Sequence, residues 1–176
     1  MSQENLTVNK SLKVSKKEIL DDFLLMNVSR KISYIGRKEV FMGRAKFGVF
    51  GDGKELPQIA MSKFFRNGDF RSGYYRDQTF MMSINQLTPD QFFAQLYAHT
   101  DIKKDPHSGG RQMNCHFGTR LLNENGDWKT QTDMMNSVSD ISCVSGQMPR
   151  IVGLAYASKL YRNCLLYTSD AADDQA

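Results

Sequence analysis

Apolar residues recur along the first part of the chain at helical spacing: Leu20, Leu24, Val28, Ile32 and Ile35, with Phe23 alongside. Steps of three and four put them on one helix face, which predicts a core-facing stripe. Ser15-Lys16-Lys17-Glu18 stands just ahead of it. There the serine oxygen is expected to accept the Glu18 amide, and the glutamate to reach back. Val14 and Ile19 occupy the staple positions, and the polar residues 1–14 are expected to fray. Glycines at 43, 48, 51 and 53 end the pattern, and Gly51-Asp52-Gly53 reads as a turn, since so short an acidic triplet is weak evidence for a metal. A second helix is predicted over 54–65, with Leu56, Ile59, Ala60 and Phe64 packed and Pro57 in its first turn. A third is predicted over 79–84, with Phe80 and Met81 inward. Thr88-Pro89-Asp90-Gln91 has the cap, proline and glutamine of a helix start, and Phe92, Phe93, Leu96 and Tyr97 form the buried side. Stretches 101–112, 123–129 and 137–146 read as loops, and Pro149 opens a last helix through Tyr161.

The 176 residues make one domain or part of one. The net charge of +4 raises the question of nucleic acid, but the lysines and arginines are scattered, so most read as solvated surface and no nucleic-acid partner is expected. No run of about 18 apolar residues suits a membrane span. The first residues lack a signal-peptide pattern. Cys115, Cys143 and Cys164 have neither metal spacing nor an even disulfide count, which points to a reducing cytoplasm.

Candidate chemistry gathers between residues 70 and 120. Phe70-Arg71-Ser72-Gly73-Tyr74-Tyr75-Arg76-Asp77-Gln78-Thr79 sets a glycine, two tyrosines and an arginine side by side. Glycine lets a backbone approach a ligand, arginine offers a planar fork for phosphate, and tyrosine adds an aromatic wall with a hydroxyl. A buried tyrosine pair beside a surface arginine is the competing reading. Arg111 reads either as a substrate or phosphate contact or as a cap on its glycine-rich loop. Cys115-His116 is two ligands short of a metal site. His99 and His107 read as surface residues.

Three ordered blocks resemble one family: residues 68–79; Gly109-Gly110-Arg111-Gln112-Met113-Asn114-Cys115-His116-Phe117-Gly118; and Ser145-Gly146-Gln147-Met148-Pro149, leading into Val152-Gly153-Leu154-Ala155-Tyr156-Ala157. They are similar to the alpha-type subunit of the thiamine-diphosphate-dependent 2-oxoacid dehydrogenase first component, above all to forms with alpha-like and beta-like halves fused. The resemblance runs from residue 18 to residue 163. It implies an α/β fold: the N-terminal part of a thiamine-diphosphate-binding fold, mostly helical, with the sheet incomplete through truncation. It implies that Tyr75 and Arg76 hold the diphosphate with Tyr74 beside them, that Ser142 contacts the cofactor, and that Arg111 and His116 lie at the substrate pocket. Gln147 takes a potassium-ligand position, although Cys143 and Gly146 depart from the family pattern there. The magnesium ligands are expected beyond residue 163, and the activating glutamate in the beta-type half.

The implied activity is oxidative decarboxylation of a branched-chain or pyruvate-like 2-oxoacid, with acyl transfer to a lipoyl group. The implied partners are a beta-type subunit or fused beta half and a lipoyl-bearing acyltransferase. The chain by itself is expected to be inactive. Residues 164–173 translate back to a string that resembles a transposon-derived sequencing adapter, so the expected division is 1–14 frayed, 15–163 a partial domain and 164–176 a non-native tail. The reading of another class is a non-catalytic helical module for an anionic partner such as RNA.

Overall fold

The computed structural model describes residues 14–173, with side chains as far as Leu160. Residues 1–13, and the side chains of the 164–176 stretch, lie outside the described residues.

Helix α1 spans Lys16–Phe41 and is capped by Ser15, whose side chain accepts the Glu18 amide at 3.1 Å. Only half of the expected box forms, because the Glu18 carboxylate turns to Lys63 Nζ at 3.0 Å. Val14 and Ile19 stay about half exposed. The buried face of α1 is only in part the predicted one, with Ile32 buried and Val28 packed against the core as expected. It is Ser29, Ile32, Ser33, Gly36 and Glu39, while Leu20, Phe23, Leu24 and Ile35 are exposed. Small residues win this face because the next elements come close. A Cβ on Gly36 would fall 2.4 Å from the Phe50 ring. Gln78, fully buried, donates to Ser29 O and Oγ at 3.1 Å and lies 2.9 Å from Ser33 Oγ. A buried amide must find such partners, so the polar stripe is drawn inward.

Helix α2 (Glu55–Ser62) repeats the lesson. Of its predicted stripe only Ile59 is buried, whereas Glu55, Gln58 and Ser62 face in. Glu55 takes the Arg30 fork and the Gly53 amide, and Gln58 bridges Arg76 O and Phe80 N. Strand β1 (Phe70–Ser72) follows, then helix α3 (Gln78–Ser83) with Phe80 and Met81 buried as expected. Helix α4 (Pro89–Leu96) carries the complete Thr88–Gln91 capping box and buries Phe92 and Leu96. Tyr97, expected inside, is half exposed and gives its hydroxyl to Glu39 at 2.6 Å.

Strand β2 (Asn136–Val138) pairs parallel with β1, Arg71 opposite Ser137. Helix α5 spans Gln147–Asp173. The described residues are thus mostly helical with one small parallel sheet, an α/β arrangement. The apolar core joins Ile32, Phe80, Met81, Met82, Ile84, Leu87, Phe92, Leu96 and Phe117. Burying one such side chain contributes about 1.5–3 kcal/mol. The sheet lies at the edge of this core and brings the chain after β1 beside the chain after β2.

Candidate functional site

Arg71 leaves β1 pointing inward and is 7% exposed. Its guanidinium reaches Asp77 Oδ2 at 2.9 Å, Asp140 Oδ2 at 2.9 Å and Ser137 Oγ at 2.6 Å, and lies 5.8 Å from the Phe117 ring centroid. Gly73 makes room for it, since a Cβ there would sit 1.8 Å from Arg71 Cζ. So the glycine serves the buried arginine, where the sequence suggested a ligand. The turn that follows is held by Asp77, which accepts the Tyr74 amide at 2.9 Å.

Beyond this turn the two tyrosines pair. Their ring centroids are 4.0 Å apart, and the Tyr74 hydroxyl donates to that of Tyr75 at 2.6 Å. That bond, then burial, raises the Tyr74 pKa, so the phenol keeps its proton. Tyr75 stacks on His116 with centroids 6.2 Å apart and planes at 14°. His116 is 2% exposed, with Nδ1 3.1 Å from Asn114 O and Nε2 2.9 Å from Ser142 Oγ. A carbonyl only accepts, so a proton belongs on Nδ1, and in that tautomer Nε2 accepts from the serine.

The segment under His116 is tightly pinned. Asn114 exchanges hydrogen bonds with Val49 N and O, and Gln95 of α4 donates to His116 O at 2.7 Å. Cys115 takes φ of +61°, a conformation that costs a non-glycine residue on the order of 1–3 kcal/mol and that collects at working sites. Its thiol is fully buried, and burial pushes its pKa up, so it is a structural residue and no nucleophile.

A polar cavity of about 260 Å³ opens beside His116, walled by His107, Arg111, Arg120, Ser139 and Asp140. Arg111 and His116 therefore share one wall. His107, read as a surface residue, is half-buried: Nε2 lies 2.9 Å from Gln86 O, and Nδ1 lies 3.2 Å from Gly118 O and 3.4 Å from its amide. Burial holds its pKa below the ordinary 6.5.

Arg76 lies apart from that cavity. Its guanidinium is 5.8 Å from the Tyr75 ring centroid, and it lines a separate groove of about 370 Å³ with Arg37, Phe41 and Phe50. Among the described residues it has no carboxylate partner, in contrast to Arg71. Gln147 starts α5, where its carbonyl accepts the Ser72 hydroxyl at 3.3 Å. Asp52 of the Gly-Asp-Gly turn is engaged by Arg37 at 2.6 Å. Among the described residues no group of three His, Cys, Asp or Glu side chains could hold a metal. No helix there is long and apolar enough to cross a membrane.

Tyr74, Tyr75, His116 and Ser142 thus form one chain of contacts, Arg111 joins it through the cavity, and Arg76 flanks it. Sequence reasoning missed Arg71, Asp77 and Asp140 as a unit. Asp77 was visible in the Arg-Asp dipeptide, but nothing in the sequence tied Asp140 to an arginine 69 residues away.

Comparison with known proteins bears on this arrangement. The sequence model of the family described as Dehydrogenase E1 component matches residues 25–175. The chain is 26% identical over 153 residues to the 2-oxoisovalerate dehydrogenase subunit alpha of Bacillus subtilis (strain 168), over 86% of this chain and 41% of that protein. It spans about two-fifths of the length of that relative. With most of its length inside the family match, the chain belongs to the dehydrogenase E1 component family.

Proposed function

We propose that this chain is part of the alpha-type subunit, or alpha half, of a thiamine-diphosphate-dependent 2-oxoacid dehydrogenase. The substrate is a branched-chain or pyruvate-like 2-oxoacid, and the acyl group passes to a lipoyl group. One observation carries the reading. Tyr75, His116 and Ser142, each assigned to cofactor or substrate on separate sequence blocks, meet in a continuous line of contacts. The donor set also fits an anionic cofactor: Arg76 has no carboxylate partner among the described residues, and the paired tyrosine hydroxyls lie beside it.

Thiamine diphosphate, when bound, supplies the electron sink for decarboxylation. The chain's own residues bind and orient. Arg76 offers two parallel N–H donors to the diphosphate, with Tyr75 as its aromatic floor. Tyr74 holds the Tyr75 hydroxyl. Ser142 contacts the cofactor while donating to His116 Nε2, and His116 and Arg111 face the substrate carboxylate from the cavity wall. Magnesium ligands would come from elsewhere in the assembled enzyme. Potassium would be held at Gln147 and enters no step. The beta-type subunit or half and a lipoyl-bearing acyltransferase are the proposed partners, and this chain by itself is inactive.

The test is Arg76→Ala in the complete enzyme carrying this chain, read by calorimetric titration of thiamine diphosphate. Losing a charge-assisted pair should weaken binding about 10- to 100-fold, or roughly 1.5–3 kcal/mol. Undiminished affinity overturns the site. Salt-sensitive binding of single-stranded RNA instead would favour the non-catalytic module.

A further inference from the structure

We infer that Arg71 is a positioning residue that sets the spacing between the two halves of the cofactor site; the inference rests on the proposed thiamine diphosphate reading. Three segments carry the candidate site: the turn 74–77, the pinned stretch 114–117 and the loop 137–142. All three converge on one guanidinium. On the turn side Arg71 reaches Asp77 Oδ2 at 2.9 and 3.2 Å and Tyr74 O at 3.4 Å. On the loop side it reaches Ser137 Oγ at 2.6 Å and Asp140 Oδ2 at 2.9 Å. The same Asp140 oxygen accepts the Phe117 amide at 3.1 Å, which ties in the residue next to His116.

The arrangement is built for geometry more than for stability. One buried cation faces two carboxylates, so the cluster carries an excess negative charge, and Asp140 Oδ1 has no partner among the described residues. Such clusters are seldom the most stable filling for a core. What this one supplies is a rigid planar fork whose Nε serves the turn, whose Nη1 serves the loop and whose Nη2 lies between both. The two β strands add only three paired positions between these segments. Without the fork, the line from Tyr75 through His116 to Ser142 loses its common anchor. Gly73 belongs to the same device, because any side chain there would collide with the guanidinium.

A lysine keeps the charge but has no fork, and Ser137→Ala removes only a loop-side bond. Both variants are made in the complete enzyme, beside Arg76→Ala, and titrated with thiamine diphosphate and with inorganic pyrophosphate. Pyrophosphate needs only the turn side, whereas thiamine diphosphate needs both. Arg71→Lys should weaken thiamine diphosphate about 10- to 100-fold, the range typical of residues that orient ligating groups. Ser137→Ala should weaken it less, with pyrophosphate affinity unchanged. A general loss of structure would lower both affinities together. Equal changes for the two ligands in both variants, with Arg76→Ala still weakening each, would overturn the positioning role. If Arg76→Ala weakens neither ligand, the site assignment itself fails instead.

Discussion

Single side chains here are read best through what they touch. His107 is the clearest case. A neutral ring satisfies its surroundings, with Nε2–H donating to Gln86 O and Nδ1 accepting the Gly118 amide. Burial disfavours the charged imidazolium, and it depresses the pKa even though the backbone at Gly118 and Gln86 pulls the other way. Below the ordinary 6.5 the unfolded chain takes up a proton that the folded chain resists. The contribution of His107 is therefore whole above 6.5 and is lost as pH falls through and below it. Urea midpoints measured from about pH 7.5 down to about pH 5 should fall more steeply for the wild type than for His107→Gln. Parallel curves would show that the ring titrates freely. Nothing in Asp105-Pro106-His107-Ser108 announced this burial. The carbonyl it serves belongs to Gln86, 21 residues earlier, and such pairings leave no local trace. The tyrosine pair and His116 were legible, because aromatic and imidazole side chains advertise their chemistry wherever they lie.

At the level of elements, the Thr88 cap and the inward faces of α3 and α4 were legible, and the inward faces of α1 and α2 were not. Thr88-Pro89-Asp90-Gln91 states its own structure, since every bond of the capping box lies within four residues. Which side of α1 faces inward depends on α3, and that partner is Gln78. Its amide oxygen accepts the Gly51 amide at 3.0 Å, and its nitrogen serves Ser29 and Ser33, so three segments share one side chain. Apolar periodicity is a sound guide only where the neighbour is apolar. Gln78→Leu keeps the volume but strands the Gly51 amide in a dry place and takes a donor from Ser29 and Ser33, whose hydroxyls keep Thr79 Oγ1 and Ser29 O. Each buried group left unpaired costs about 1–3 kcal/mol, though the hydroxyls can turn to other acceptors. The expected loss is about 2–4 kcal/mol in equilibrium urea unfolding. A loss below about 0.5 kcal/mol, the level of an ordinary surface change, would show that the polar seam does not hold α1 to α3.

The whole molecule is defined as much by what it leaves uncovered. Lys63 at the end of α2 bonds Glu18 and Asp22, so the first turns of α1 lie beside the last turn of α2. Around that junction Leu20, Phe23, Leu24, Met61 and Phe64 are all more than half exposed. Contiguous apolar surface of this kind is rare on monomers and marks a place where something docks. The sequence reading put several of these residues in the core, and it was the polar seam that turned them outward. That outcome has a consequence for the chain by itself. Its sedimentation coefficient should rise with concentration, and it should bind a hydrophobic dye such as anilinonaphthalene sulfonate. Leu24→Glu and Phe64→Glu together should lower both signals. They should shift stability by no more than about 0.5 kcal/mol each, because neither side chain is buried. A chain that stays monomeric at every concentration and binds no dye would mean the patch is closed by its own side chains in solution. Dye binding that survives both substitutions would place the sticky surface deeper in the groove of about 370 Å³ that Met61 and Phe64 share with Phe70 and Ile151.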